Sequence, residues 1–228
     1  MKQIPLAIGP EALPTFGTYL SSANVAAVEH LRGLAAGAPP VYLWGPPGSG
    51  KTHLLRALAH AHQQQGDSGG SFDAAQPAPW LARDDWSLIV VDDCERLDAA
   101  QQQAAFALFV AGAEQGQRWA AAGRLPPVDL PVRDDLRTRL GWGHVFALQP
   151  PAEHETRAIL RREADRRGIF LADEVLDWLL TRQPRELGGL MRLLERLDRF
   201  ALARQRTVTL PLLRAMLDEE PAAVPQRG

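Results

Sequence analysis

Gly45-Pro46-Pro47-Gly48-Ser49-Gly50-Lys51-Thr52 follows the pattern G-x-x-x-x-G-K-[ST], and the residue types in it suit the holding of phosphate. Glycines let backbone N–H groups turn inward around phosphate oxygens, and a helix that begins where such a loop ends directs its positive end to the same place. Lys51 is positioned to reach the terminal phosphates, and Thr52 to hold a magnesium ion. Lys2 and Lys51 are the only lysines; every other strongly basic side chain is arginine. A compact ammonium on a flexible stem is not replaced by a planar guanidinium in a crowded loop, so lysine at Lys51 reads as a requirement.

A phosphate loop also needs an acidic group at the end of a neighbouring strand, to hold magnesium directly or through water. Leu88-Ile89-Val90-Val91-Asp92-Asp93 supplies it. Asp92 is the metal candidate, and Asp93 stands where a catalytic, water-orienting residue belongs, a place where many P-loop ATPases carry the longer Glu. These residues specify binding of a nucleotide's phosphate chain with Mg2+ and leave turnover by the chain itself open.

The loop must be carried by strand and helix. Val41-Tyr42-Leu43-Trp44 reads as a buried strand before it, and an Ala/Leu-rich helix runs after it to about Gln64. The unbroken apolar run 88–91 is typical of a central parallel strand covered on both faces. Upstream, Asn24 is placed to cap a helix with Val25, Val28 and Leu31 on one face, ended by Gly37 and Pro39-Pro40. Residues 66–79 read mostly as loop, with a short edge strand near Ser71-Phe72. A helix over about 99–115, a weaker strand at 119–122, a short helix through Leu136 and Leu140 and a strand at 145–148 complete an α/β alternation. After Pro150-Pro151 only helices follow, over about 152–167, 173–182, 185–204 and 211–219.

Composition excludes several classes. The 228 residues are 46% hydrophobic and 23% charged, which is ordinary globular usage. Lys plus Arg is 25 against 27 for Asp plus Glu, a net charge of -2, so no global positive field would coat DNA. The single cysteine, Cys94, excludes an internal disulfide and a cysteine-based zinc site and fits a reducing compartment, the cytoplasm; it reads as a small buried residue. No apolar run approaches the ~20 residues that span a bilayer, and the first residues lack a signal peptide's apolar stretch.

With these segments in place, nearly the whole chain resembles the DnaA/Hda branch of the AAA+ ATPases. Thr15-Phe16 with Tyr19 and Asn24 resembles the stretch that lines the adenine pocket in that family. Asp135-Leu136-Arg137-Thr138-Arg139-Leu140-Gly141-Trp142-Gly143, running on to Pro151, is similar to its arginine-finger motif and following strand. Glu155–Leu160 and Pro184-Arg185-Glu186-Leu187 resemble its lid helices.

The resemblance implies an AAA+ P-loop core with a parallel sheet flanked by helices, and a small all-helical C-terminal lid. The divisions it implies are a clamp-binding tail at 1–12, the nucleotide-binding core at 13–150, the lid at 151–220 and a disordered tail at 221–228. Arg139 would act in trans on a neighbouring subunit's γ-phosphate, an effect worth ~10³–10⁵ in rate, and Arg185 would close over the chain's own phosphates. Phe16 and Tyr19 would face the adenine. Gln3-Ile4-Pro5-Leu6-Ala7-Ile8 resembles the peptide by which members of this branch dock on the DNA polymerase III sliding clamp, with Gln3, Leu6 and Ile8 making the contacts.

The implied function is negative regulation of replication initiation: on the DNA-loaded clamp, the chain would promote hydrolysis of DnaA-bound ATP. A homo-oligomer is compatible with this. Two departures stand out: Ala122-Gly123-Arg124 lacks the polar residue the family carries there, and the chain ends after the lid without the initiator's helix-turn-helix domain. No sequence-specific DNA binding and no membrane partner are expected. Two other readings stay open, a nucleotide-switched adaptor resembling a helicase loader, and a self-sufficient P-loop ATPase.

Overall fold

Residues that alternate in side along a strand must find cover on two faces, and here both faces are apolar. In a computed structural model that describes residues 13–182 and 186–219, the chain divides after Pro151 into two units. The first is built on β1 (Val41–Trp44), β2 (Ser68–Phe72), β3 (Trp86–Val91), β4 (Arg118–Gly123) and β5 (His144–Ala147). They form one parallel sheet in the order β2-β3-β4-β1-β5. Val41 and Leu43, Leu88 and Val90, and Ala120 and Ala122 point to the face covered by α1 (Val25–Arg32) and α2 (Lys51–Gln64). Tyr42, Ile89 and Val91, and Trp119 and Ala121 point to the other, where α3 (Ala99–Glu114) and α4 (Asp134–Trp142) pack Leu108, Phe109, Leu136 and Leu140 against them. The period of two thus dictates a three-layer core.

Three local expectations are corrected. β2 is a full strand from Ser68, because Gly69 and Gly70 give no bulk to a close pairing: a Cβ on Gly69 would lie 2.8 Å from Leu88 O, and one on Gly70 2.5 Å from the Trp86 ring. Val25 is 55% exposed, since the short α1 buries only Ala27, Val28 and Leu31. Asn24 makes no capping bond to α1; its side chain is buried and engaged elsewhere, as described below. α3, by contrast, opens on a capping box in which Asp98 and Gln101 bond each other's backbone N–H.

The second unit holds α5 (Glu153–Arg166), α6 (Asp173–Arg182), α7 (Leu187–Arg204) and α8 (Leu210–Glu219). Leucines at helical spacing close a core of their own, among them Leu160, Leu176, Leu179, Leu194, Leu197 and Leu213. Among the described residues no helix is long and apolar enough to cross a membrane.

Candidate nucleotide-binding site

The ends of β1, β3 and β4 meet at the phosphate loop. Gly50 adopts φ +87, and a Cβ there would stand 2.4 Å from Tyr19 Cε2, so this position admits only glycine. Having no side chain, Gly50 leaves the first amides of α2 uncapped, where the helix can offer them to an anion. Lys51 Nζ turns back on the loop, donating to Gly45 O at 2.8 Å and Pro46 O at 3.1 Å. Ser49 Oγ is buried without a hydrogen-bond partner among the described residues. A ring of donors around a glycine cradle fits a phosphate chain. Burial pulls the Lys51 ammonium below its ordinary pKa range, opposed by the nearby carboxylates Asp92, Glu95 and Asp93.

Asp92 leaves the end of β3 beside Thr52, whose hydroxyl donates to it; its Oδ1 accepts the Asp93 N–H at 2.9 Å. Burial pushes the Asp92 carboxyl above its usual range against these bonds and the charge of Lys51. A half-buried acid beside a hydroxyl and an ammonium fits a divalent cation, so Thr52 and Asp92 are the residues that would hold Mg2+, which when bound would neutralise phosphate charge. Asp93 adopts a left-handed backbone, φ 51, and pairs with Arg96 at 3.4 Å. Cys94 is buried, and its thiol is pushed up by that burial, which makes it inert packing.

Two residues not singled out in the sequence complete this edge. Glu95 Oε2 accepts the Arg124 N–H at 3.0 Å, and Tyr42 Oη donates to Leu125 O at 2.9 Å. Together they fasten the exit of β4 at Gly123, where a Cβ would lie 2.3 Å from Tyr42 Oη and 3.1 Å from Glu95 Oε2. Arg124 lies close enough to Lys51 to disfavour its protonation. The signal was the glycine at the end of a strand, a position that calls for close approach.

On the other side of the loop, Tyr19 Oη donates to Ser49 O at 2.9 Å. Asn24 Nδ2 donates to Tyr19 Oη at 2.7 Å and to Gln149 O at 2.8 Å, and Asn24 Oδ1 accepts the Gln149 N–H at 2.9 Å. Tyr19 and Asn24 are thus brought onto the loop, whereas Phe16 packs with its ring 5.6 Å from the Arg32 guanidinium. Gln3, Leu6, Ile8 and Arg185 lie outside the described residues.

Arg139 sits on the outer side of α4, whose inner side buries Leu136 and Leu140. Arg133 is tied to Asp135 at 2.6 Å and Arg137 is bonded to Asp134. Among the described residues Arg139 makes no ion pair; its guanidinium carbon stands 5.7 Å from the centroid of the Phe109 ring, a contact that orients the group without neutralising it.

This architecture is shared. Over 95% of this chain and 99% of the other, it is similar to domain III of the replication initiation protein DnaA from Thermotoga maritima, with a TM-score of 0.78 at 20% identity. AMPPCP-bound DnaA from Aquifex aeolicus matches over 86% of this chain and 69% of its own, with a TM-score of 0.64 at 21% identity. The Thermotoga maritima Holliday junction branch migration motor RuvB matches over 90% and 72%, with a TM-score of 0.65 at 18% identity. The fold and the loop define an AAA+ P-loop protein. Residues 153–217, the helices of the second unit, match the family model described as Hda, lid domain.

Proposed function

We propose that the chain is a nucleotide-binding regulator of replication initiation, which supplies Arg139 in trans to hydrolyse ATP held by DnaA while docked on the DNA-loaded sliding clamp through Gln3, Leu6 and Ile8. The observation that carries this reading is the uncompensated guanidinium of Arg139 beside two arginines that are each paired with an aspartate. An exposed cation with no ion pair among the described residues suits the charge that develops on a transferred phosphoryl group. Two features favour the chain as a partner in hydrolysis over a self-sufficient ATPase: β4 ends in Gly123-Arg124 without an acid or amide, and Asp93 is engaged with Arg96.

The test is hydrolysis of labelled ATP preloaded on DnaA, with this chain and ADP, with and without DNA-loaded clamp. Stimulation that requires both chain and clamp is expected, as is its loss by ~10³-fold or more in Arg139→Ala with nucleotide binding by the variant intact. Stimulation that survives Arg139→Ala would refute the role of that arginine. No stimulation by the unaltered chain, with ADP or ATP bound normally, would turn the reading to a nucleotide-switched adaptor.

A further inference from the structure

Trp142 follows Arg139 by three residues and so shares its flank of α4. It is 65% exposed, although the packing needs of α4 are met by Leu136 and Leu140, each 1% exposed. Its base is held rigidly. A Cβ on Gly141 would touch Pro127 Cβ at 3.3 Å, and one on Gly143 would meet Pro40 O at 2.0 Å, while the His144 N–H donates to that same Pro40 O at 2.8 Å. The two glycines let the backbone on either side of Trp142 lie directly on neighbouring loops, leaving the indole in water on a pinned support.

β5, next in the chain, is an edge strand. His144 and Phe146 lean toward His30 of α1, with ring centroids 4.2 and 5.2 Å away. Alternation along the strand therefore turns Val145, 39% exposed, to the side of the sheet that carries α4.

We infer that Trp142, with Val145 beside it, is the apolar anchor by which the chain grips the nucleotide-bearing face of a partner AAA+ subunit. This rests on the trans role proposed for Arg139. Charge selects the occupant: Asp134 and Asp135 are neutralised within α4 and its entry, so Arg139, which has no ion pair among the described residues, calls for an anionic site such as a bound triphosphate. A rigidly presented aromatic next to an arginine is the composition of an interface hot spot, and the pinned backbone spares the ordering cost of binding. Arg139 acts on rate, and Trp142 on affinity.

The experiment separates the two by binding and by hydrolysis. Association of the full chain with DnaA loaded with the slowly hydrolysed analogue AMPPCP is measured by biolayer interferometry, and hydrolysis is titrated with ATP-loaded DnaA. Trp142→Ala should weaken association tenfold or more while the rate at saturation stays within twofold of the unaltered chain, and Trp142→Phe should fall between. Melting temperature and ADP affinity should be unchanged, since the side chain supports no core. Arg139→Ala should show the opposite balance, losing the rate at saturation while weakening association less than Trp142→Ala does. Association of Trp142→Ala within twofold of the unaltered chain overturns the inference while leaving the role of Arg139 standing. Loss of self-association alone, seen by sedimentation, overturns it in favour of a second copy of this chain as occupant. If the unaltered chain associates through Trp142 yet stimulates nothing, the hydrolysis reading fails and the anchor stands.

Discussion

Replacing Asn24 by alanine probes the link between the phosphate loop and the end of the sheet. Asn24 is 3% exposed, and its amide serves Tyr19 Oη, Ser21 Oγ and both backbone groups of Gln149. Each of the two Gln149 bonds is worth ~1 kcal/mol net, and the void left by a buried side chain of this size costs about 1 kcal/mol more. Asn24→Ala should therefore lose about 2–3 kcal/mol, which for a chain of this length lowers Tm by roughly 5–10 °C. Tryptophan fluorescence during urea or thermal unfolding reads the change in the right unit, because Trp44, Trp80, Trp86, Trp119 and Trp142 precede Pro151 and only Trp178 follows it. Tyr19, which donates to Ser49 O, would lose the Asn24 amide that holds its hydroxyl, so affinity for ADP should fall as well, and excess ADP should restore part of the lost stability by mass action. Asn24→Asp retains an acceptor for the Gln149 N–H but sets a carboxylate against Gln149 O, so it should be no more stable than the alanine variant. A Tm within 2 °C of the unaltered chain for Asn24→Ala, or an Asn24→Asp variant more stable than Asn24→Ala, would refute this assignment.

Lys51→Arg should abolish the thermal shift produced by ADP or ATP as fully as Lys51→Ala, because a planar guanidinium does not reproduce the compact donor that the buried Lys51 sets against Gly45 O and Pro46 O; retained shift would show that charge alone suffices. Asp92 has its folded pKa raised by burial, so keeping it ionised costs stability above that pKa, and the cost vanishes below the unfolded carboxylate value near 4. Asp92→Asn should accordingly raise the Tm of nucleotide-free protein at pH 7.5, show no gain at pH ~3.5 and remove the Mg2+-dependent part of nucleotide stabilisation; a lower Tm at pH 7.5 would contradict it. Gly123→Ala should cost about 1–3 kcal/mol by crowding Tyr42 Oη and Glu95. Combined with Tyr42→Phe, which removes the oxygen in the way, the loss in urea titrations should fall short of the sum of the singles by ~1 kcal/mol or more, and strict additivity would show that the crowding is relieved elsewhere.

The parts legible in the sequence are those where chemistry leaves one residue type. The phosphate loop, Asp92 after its apolar run, and the helices after Pro151 all follow from constraints a few residues long. The start of β2 carries no such signal because Ser68-Gly69-Gly70 has poor intrinsic strand preference, and what makes it a strand is β3 lying against the two glycines. The part played by Asn24 was hidden for a similar reason: a residue suited to capping serves instead a backbone 125 positions away. The roles of Glu95 and Tyr42 are not legible along the chain because their partners on the exit of β4 become neighbours only once the sheet is assembled.

The strand order has a consequence for how the protein is made. β1 carries the phosphate loop, yet the strands that come next in the chain, β2 and β3, do not pair with it; its partners are β4 and β5, and Gly45 is backed by Leu148 O. Such distant parallel pairings form slowly, so during synthesis the loop residues emerge early and wait, unsupported, until the chain past residue 148 is available. A nascent chain stopped before β5 would display β1 as a bare edge, a target for chaperones and proteases. On the function proposed above, acquisition of nucleotide would mark the moment at which the core has closed.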